Sequence, residues 1–272
     1  MKLRYFKDSH VHTTISHDGK SSIPEYIAEA KKKDIDEIIF TEHYDIYDGV
    51  EANLTALDVA EYRRKYLALT KNSVVQTKFG IEIGLRPEAE QKIKAMTSAN
   101  NFDFIIGSSH ITCGKDIAMD PSFFNGLTPH QAHMKYFKEV FENINTFDDF
   151  DVYGHLDYVV RYGGYKCDYA KHIRYADYSE ILDKILMALI KKGKGIEVNS
   201  SGIRNRLGAP HPNMDIVQRF VDLGGRIITM GSDAHIAEDL GKHFHIVREL
   251  LKRRGVERIA VFSNRTPYFY EL

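Results

Sequence analysis

The sequence predicts an α/β fold, a single domain built on a closed barrel of parallel strands. Three observations point to it. Short apolar runs alternate with longer amphipathic stretches seven or eight times along the chain. The short runs are rich in Ile, Val, Phe and Tyr and near-continuous, as in strands buried on both faces of a parallel sheet. Nearly every run also ends in a histidine or a carboxylate, and a parallel barrel gathers its strand C-termini at one end. An open doubly wound sheet is the alternative arrangement of the same repeats.

Taken in order, the expected strands are LRYF (3–6), EIIF (37–40), KFGIEIG (78–84), FDFIIGS (102–108), FDVYG (150–154), KGIEVN (194–199), RIITMG (226–231) and ERIAVF (257–262). Between them, Ser21-Ser22-Ile23-Pro24-Glu25 opens a first helix with a serine cap, then Pro and Glu in the first turn. Further helices are expected over 57–71, 87–99, 130–146, 176–192, 213–223 and 237–253. Gly193, Gly224 and Gly255 fall where three of them should stop. Residues 111–129 carry Gly114, Asp116, Pro121, Asn125 and Gly126 and read as a long loop, a length that suits a lid.

Composition narrows the function. The 37 Lys and Arg nearly balance the 38 Asp and Glu, and there is no basic run, which argues against a long nucleic-acid partner. No run approaches the ~20 apolar residues of a membrane span, and MKLRYFKDSHVH lacks the apolar core of a signal peptide. Cys113 and Cys167 stand far apart, outside any CxxC spacing, as in a soluble cytoplasmic protein.

The 13 histidines are the unusual feature, and their positions matter more than their number. The strand ends carry Asp8-Ser9-His10-Val11-His12, Thr41-Glu42-His43, Glu82, Ser109-His110, Gly154-His155-Leu156-Asp157, Asn199-Ser200-Ser201-Gly202 and Gly231-Ser232-Asp233-Ala234-His235. Residues i and i+2 of a strand point to one face, so His10 and His12 can share an ion; Asp233 and His235 repeat the spacing. Imidazole and carboxylate are ligands for Zn²⁺, Mn²⁺ and Fe. His10, His12, His17, His43, Glu82, His110, His155, Asp233 and His235 make nine candidates, more than one ion uses, so two or three ions are expected, with a carboxylate such as Glu82 bridging. The remaining histidines, among them His130, His133, His172, His211, His243 and His245, read as core or surface groups.

As a set and in order, HVHTTISHDG, TEH, GIEIG, SSH, GHLD and GSDAH resemble the polymerase-and-histidinol-phosphatase (PHP) superfamily over residues 8–235. GHLDYVVRYGGY, EVNSSGIR and GSDAHIAEDLGKHF are similar to its histidinol-phosphate phosphatase branch. The resemblance implies a distorted (β/α)7 TIM-like barrel, residues 1–272 as one catalytic domain, and three divalent ions (Zn, Mn or Fe). It implies that one ion takes His10, His12, Glu82 and Asp233, that a second shares Glu82 and adds His110 and His155, and that the third takes His17, His43 and His235. The implied activity is hydrolysis of L-histidinol phosphate in histidine biosynthesis.

On that set, a hydroxide bridging the first two ions is expected to attack phosphorus, with Asp233 orienting or deprotonating it. His17, His43 or a bound water could protonate the leaving group. Arg161 and Arg204 follow strand ends and offer planar forks for phosphate. Asn199 is expected to bond substrate or support a ligand, and Glu42 to be structural or to support a ligand. Asp18 and Asp45 could meet a substrate ammonium, and Tyr158, Tyr162 and Tyr165 could line a pocket. Two other readings share the motifs: a PHP-type phosphoesterase for another small ester or nucleotide, and a metal amidohydrolase.

Overall fold

The computed structural model describes residues 6–48, 54, 56–162 and 173–272. Tyr165, Cys167, His172 and residues 3–5 of the first expected strand lie outside these. Seven parallel strands form one sheet: β1 (Phe6–Val11), β2 (Ile35–Tyr44), β3 (Gln76–Gly84), β4 (Phe104–Ser108), β7 (Val152–Tyr153), β8 (Gly195–Asn199) and β9 (Ile228–Gly231), in that spatial order. His12 N–H donates to Ala234 O at 2.9 Å and Asp233 N–H to His10 O at 2.9 Å, so the last strand's end meets the first and the sheet curls into a barrel.

Helices cover the outside. They are α1 (Ile23–Lys32), α2 (Val59–Thr70), α3 (Glu90–Ala99), α4 (Pro129–Thr146), α5 (Ser179–Lys191), the single turn α6 (Ser201–Arg204), α7 (Met214–Asp222) and α8 (Phe244–Arg253). α1 starts as expected, with Ser22 at the cap and Glu25 reaching back to accept from Ser22 N–H at 2.6 Å. The three glycines expected at helix ends lie there in the left-handed region, at φ 68°, 93° and 74°. Outward residues such as Ile38, Phe40, Ile81, Ile83 and Ile105 form the main core with the helices.

The first strand reaches beyond LRYF: within the described residues it runs over Phe6–Val11, with Asp8, Ser9 and His10 buried. Three expectations need correction. The run at 257–262 is not a barrel strand. It forms β10 (Arg258–Ser263), paired antiparallel with β11 (Thr266–Glu271), because Asn264 and Arg265 both take positive φ (47° and 62°) and turn the chain back. The helix expected over 237–253 forms only from Phe244, since Gly241 and His243 sit at φ 61° and 66°. The segment 111–129 is not an irregular loop: β5 (Ile111–Thr112) and β6 (Lys115–Asp116) make a short hairpin, followed by a 3-10 turn over Pro121–Phe124, with Ile117 and Phe123 buried.

The β10–β11 hairpin closes the barrel at the strands' N-terminal ends. Ala260, Val261 and Phe262 pack on Ile39, Phe104, Ile106 and Val152, and Tyr268 OH donates to Glu37 at 2.7 Å. Only the opposite end is left for a site. No helix among the described residues is long and apolar enough to cross a membrane.

One stability prediction arises from α4. His133 is buried against Tyr178, with Nδ1 2.9 Å from the hydroxyl, and burial pushes its pKa down to about 4. An unfolded histidine titrates near ~6.5. The folded pKa is the lower one, so the contribution is fully present above pH ~6.5 and is lost as pH falls towards 4, up to about 3 kcal/mol. The His133→Gln variant should therefore lose less stability between pH 7 and 4 than the parent; parallel urea melts with equal pH slopes would contradict this.

Candidate metal centre

The expected ligands converge. Glu82, at the end of β3, is fully buried, and five imidazoles surround it. Its Oε1 lies 2.8 Å from His155 Nε2 and 3.2 Å from His110 Nε2. Its Oε2 lies 3.1 Å from His43 Nδ1, 3.2 Å from His10 Nε2 and 3.4 Å from His12 Nε2. Asp233 Oδ1 stands 3.6 Å from His12 Nε2 and 3.9 Å from His10 Nε2. His12 stacks on His43 with ring centroids 4.0 Å apart, and His235 sits 4.5 Å from His12.

Four groups of three have ligand atoms mutually within 4.8 Å: His12, His43 and His235; His10, Glu82 and His155; His10, His12 and Asp233; His43, Glu82 and His110. Eight of the nine candidates are in them. His17 is the exception. It is exposed on the loop after β1, its ring centroid 5.6 Å from that of His43. Glu42 holds that loop from beneath, accepting from both the N–H and the hydroxyl of Thr13 and Ser16. That is the structural role expected for Glu42.

The donor set fits divalent cations. Burial works to raise the pKa values of Glu82 and Asp233, but the neighbouring imidazoles, His10 foremost, hold both well below the carboxylate range. Burial, with His43 and His235 close by, pushes His12 far down; burial likewise lowers His155. Glu82 Oε2 and one ring nitrogen each of His12, His43 and His155 are buried with no hydrogen-bond partner. Such atoms are costly unless something binds them. Nitrogen and carboxylate donors facing one another suit Zn²⁺, Mn²⁺ or Fe²⁺, with each imidazole neutral when it ligates.

The remaining expected residues have definite places. Arg161 is largely buried over the Tyr158 ring (4.9 Å), donates from Nη2 to Ser201 Oγ at 2.5 Å and lies 3.5 Å from Asp233 Oδ2. Arg204 donates to the carbonyls of Ser232 and Asp233, each at 2.8 Å, and pairs with Asp239, so it braces the Asp233 turn. Both arginines line a cavity of about 580 Å³ with Asp18, Lys20, Asp233 and His235. Asn199 does not face this cavity. It is fully buried, accepting from Ser201 and donating to Glu197 at 3.1 Å, which matches ligand support rather than substrate contact. Asp45 is likewise not available to a substrate ammonium: it is buried, with Oδ1 2.9 Å from His110 Nδ1. Asp18 reaches His235 Nε2 at 2.9 Å and His43 Nε2 at 3.5 Å. Tyr162 lines the cavity, and Tyr158 packs between His155 and Arg161.

Sequence reasoning missed Glu197. It sits on β8 with Oε1 2.6 Å from His10 Nδ1. The signal was present: it is the one charged residue in a five-residue strand that is buried throughout.

Comparison with known proteins agrees with this geometry. A "Histidinol-phosphatase" of Lactococcus lactis is 30% identical over 257 residues, covering 94% of this chain and 94% of the relative. A "Probable histidinol-phosphatase" of Clostridium acetobutylicum is 29% identical over 264 residues, 97% of this chain and 96% of its own length. The crystal structure of the L. lactis histidinol phosphate phosphatase, complexed with zinc, L-histidinol and phosphate, superposes with a TM-score of 0.85 at 30% identity, covering 97% of this chain and 99% of that one. The PHP domain model matches residues 8–201, most of the barrel and seven of the nine candidate ligands, and the chain belongs to the PHP domain family.

Proposed function

We propose that the chain is a metal-dependent phosphatase that hydrolyses L-histidinol phosphate to L-histidinol and phosphate. One observation carries the reading: a fully buried carboxylate, Glu82, ringed by imidazoles, in a cluster whose Asp233 and His235 line, with Arg161, a cavity of about 580 Å³. The L. lactis relative, crystallised with zinc, L-histidinol and phosphate, supports the substrate. Three ions, Zn, Mn or Fe, fit the number of ligands, and His17 would join the set by a shift of its exposed loop.

Bound divalent ions supply a water of lowered pKa and neutralise phosphoryl charge. The chain's residues do the rest. Glu82 fixes the ligand array from its centre, held by Ser108 Oγ at 2.7 Å. Asp233 turns Oδ1 to His10 and His12 and Oδ2 to Ser201 and Arg161, so Oδ1 is placed to take a proton from the attacking water. Arg161 presents its guanidinium at the cavity wall, where a phosphoryl oxygen can replace Ser201 as its acceptor. With His43 counted among the ligands, a water held beside Asp18 would return a proton to the departing alkoxide. The substrate is a free metabolite of histidine biosynthesis in the cytoplasm, with no nucleic acid involved. A second small phosphate ester is the runner-up, since the motifs alone do not read the alcohol.

Removal of the ions tests the reading. Stripping the protein with a chelator should reduce phosphate release from L-histidinol phosphate at least ~100-fold, about 2.7 kcal/mol in the barrier, and Zn²⁺ or Mn²⁺ should restore it. Full activity in the stripped protein, checked by elemental analysis, would refute it.

A further inference from the structure

We propose that Glu197 is a positioning residue that ties His10 to His155 and thereby sets the affinity of the cluster for its ions. The inference rests on the metal-binding reading of the site, but it adds a group outside the nine ligand candidates.

Glu197 is buried and contacts none of the ring nitrogens that face Glu82. Its two oxygens are used separately. Oε1 accepts from His10 Nδ1–H at 2.6 Å. A carboxylate can only accept, so a proton sits on Nδ1, and Nε2, 3.2 Å from Glu82 Oε2, is the nitrogen left to lose its proton to a bound ion. Oε2 accepts from the backbone N–H of His155 at 2.9 Å and from Asn199 Nδ2 at 3.1 Å.

The second contact matters because His155 is backbone-strained. Its φ is 21°, at the edge of the left-handed region. A non-glycine residue holds such a conformation only when its surroundings fix it. The Glu197 bond is one such fixture, and the turn it fixes aims His155 Nε2 at Glu82 Oε1, 2.8 Å away.

Gly231 makes space for this carboxylate: a Cβ there would lie 2.2 Å from Glu197 Oε1, while Gly154 lies at ordinary contact distance, its Cβ position 3.5 Å from Oε2. Gly154 precedes His155, and Gly231 stands two residues before Asp233. One carboxylate therefore touches the ends of three strands that carry candidate ligands.

Carboxylates behind a ligating imidazole typically contribute about 10–100-fold in metal affinity. In Glu197→Gln an amide NH₂ replaces one acceptor and must face either His10 Nδ1–H or His155 N–H, so one of the two ties breaks. The metal-free protein is titrated with Zn²⁺ against a chromophoric chelator. The expected result is binding about 10–100-fold weaker than wild type. Unchanged Zn²⁺ affinity in folded E197Q would overturn the proposal, since a merely structural carboxylate lowers the melting temperature and leaves ligation alone. If E197Q does not fold, the wild type decides. Imidazole ¹⁵N NMR of the Zn²⁺-loaded protein should show His10 as the Nδ1–H tautomer, its proton downfield and slow to exchange; the Nε2–H tautomer would overturn it. Both readouts are of metal affinity and tautomer, so they hold or fail separately from the identity of the phosphate ester.

Discussion

Replacing Glu82 by glutamine should abolish turnover, lowering kcat/KM at least ~1000-fold, or about 4 kcal/mol, together with loss of bound metal. Glu82 lies within 3.4 Å of a nitrogen on each of five histidines, His10, His12, His43, His110 and His155, which come from four different strands or strand ends. No other carboxylate among the described residues is shared so widely. An amide cannot balance the charge of two cations, and its NH₂ would point a donor at nitrogens that must offer lone pairs. The fold should survive, because the apolar core lies between sheet and helices and not on the axis at this end. Elemental analysis and phosphate release on the same sample check both halves. A variant that keeps its metal and its rate would remove Glu82 from the centre.

Replacing Arg161 by alanine should lower kcat/KM by about 10²–10³, the usual loss for one preorganised donor aimed at developing charge, with metal content unchanged. Arg161 lies against Tyr158, and its Nε is buried with no hydrogen-bond partner. Such a guanidinium is pre-set for an incoming anion and costs little to order. Arg161→Lys should recover only a small part of the loss, because an ammonium has neither the fork nor the stacking plane. Steady-state kinetics for wild type, alanine and lysine variants separates this from a general charge effect: full recovery by lysine would show that only the positive charge mattered.

Much of this was legible before any coordinates. Six of the seven barrel strands contain an apolar run followed by polar groups, the first begins where another such run ends, and eight of nine ligand candidates came together. Histidines at strand ends are legible because few other roles put them there. What was not legible depended on tertiary contact. Composition does not mark FKDSHV as a strand, yet it forms one because Asp8 and His10 are satisfied inside the barrel: Asp8 accepts from Ser232 N–H and Gly241 N–H. ERIAVF has strand composition, but only the Asn264-Arg265 turn decides that it folds back as a plug. Asp45 and Glu197 looked like a loop acid and a strand residue. Their bonds to His110 and His10 span 65 and 187 positions of sequence.

The most direct measurement is phosphate release by the metal-loaded protein from a panel of monoesters: L-histidinol phosphate, a nucleoside monophosphate and an aryl phosphate. The expected result is a kcat/KM for L-histidinol phosphate at least ~100-fold above the others, about 2.7 kcal/mol of discrimination. Equal, weak rates across the panel, or none with the ions bound, would contradict it.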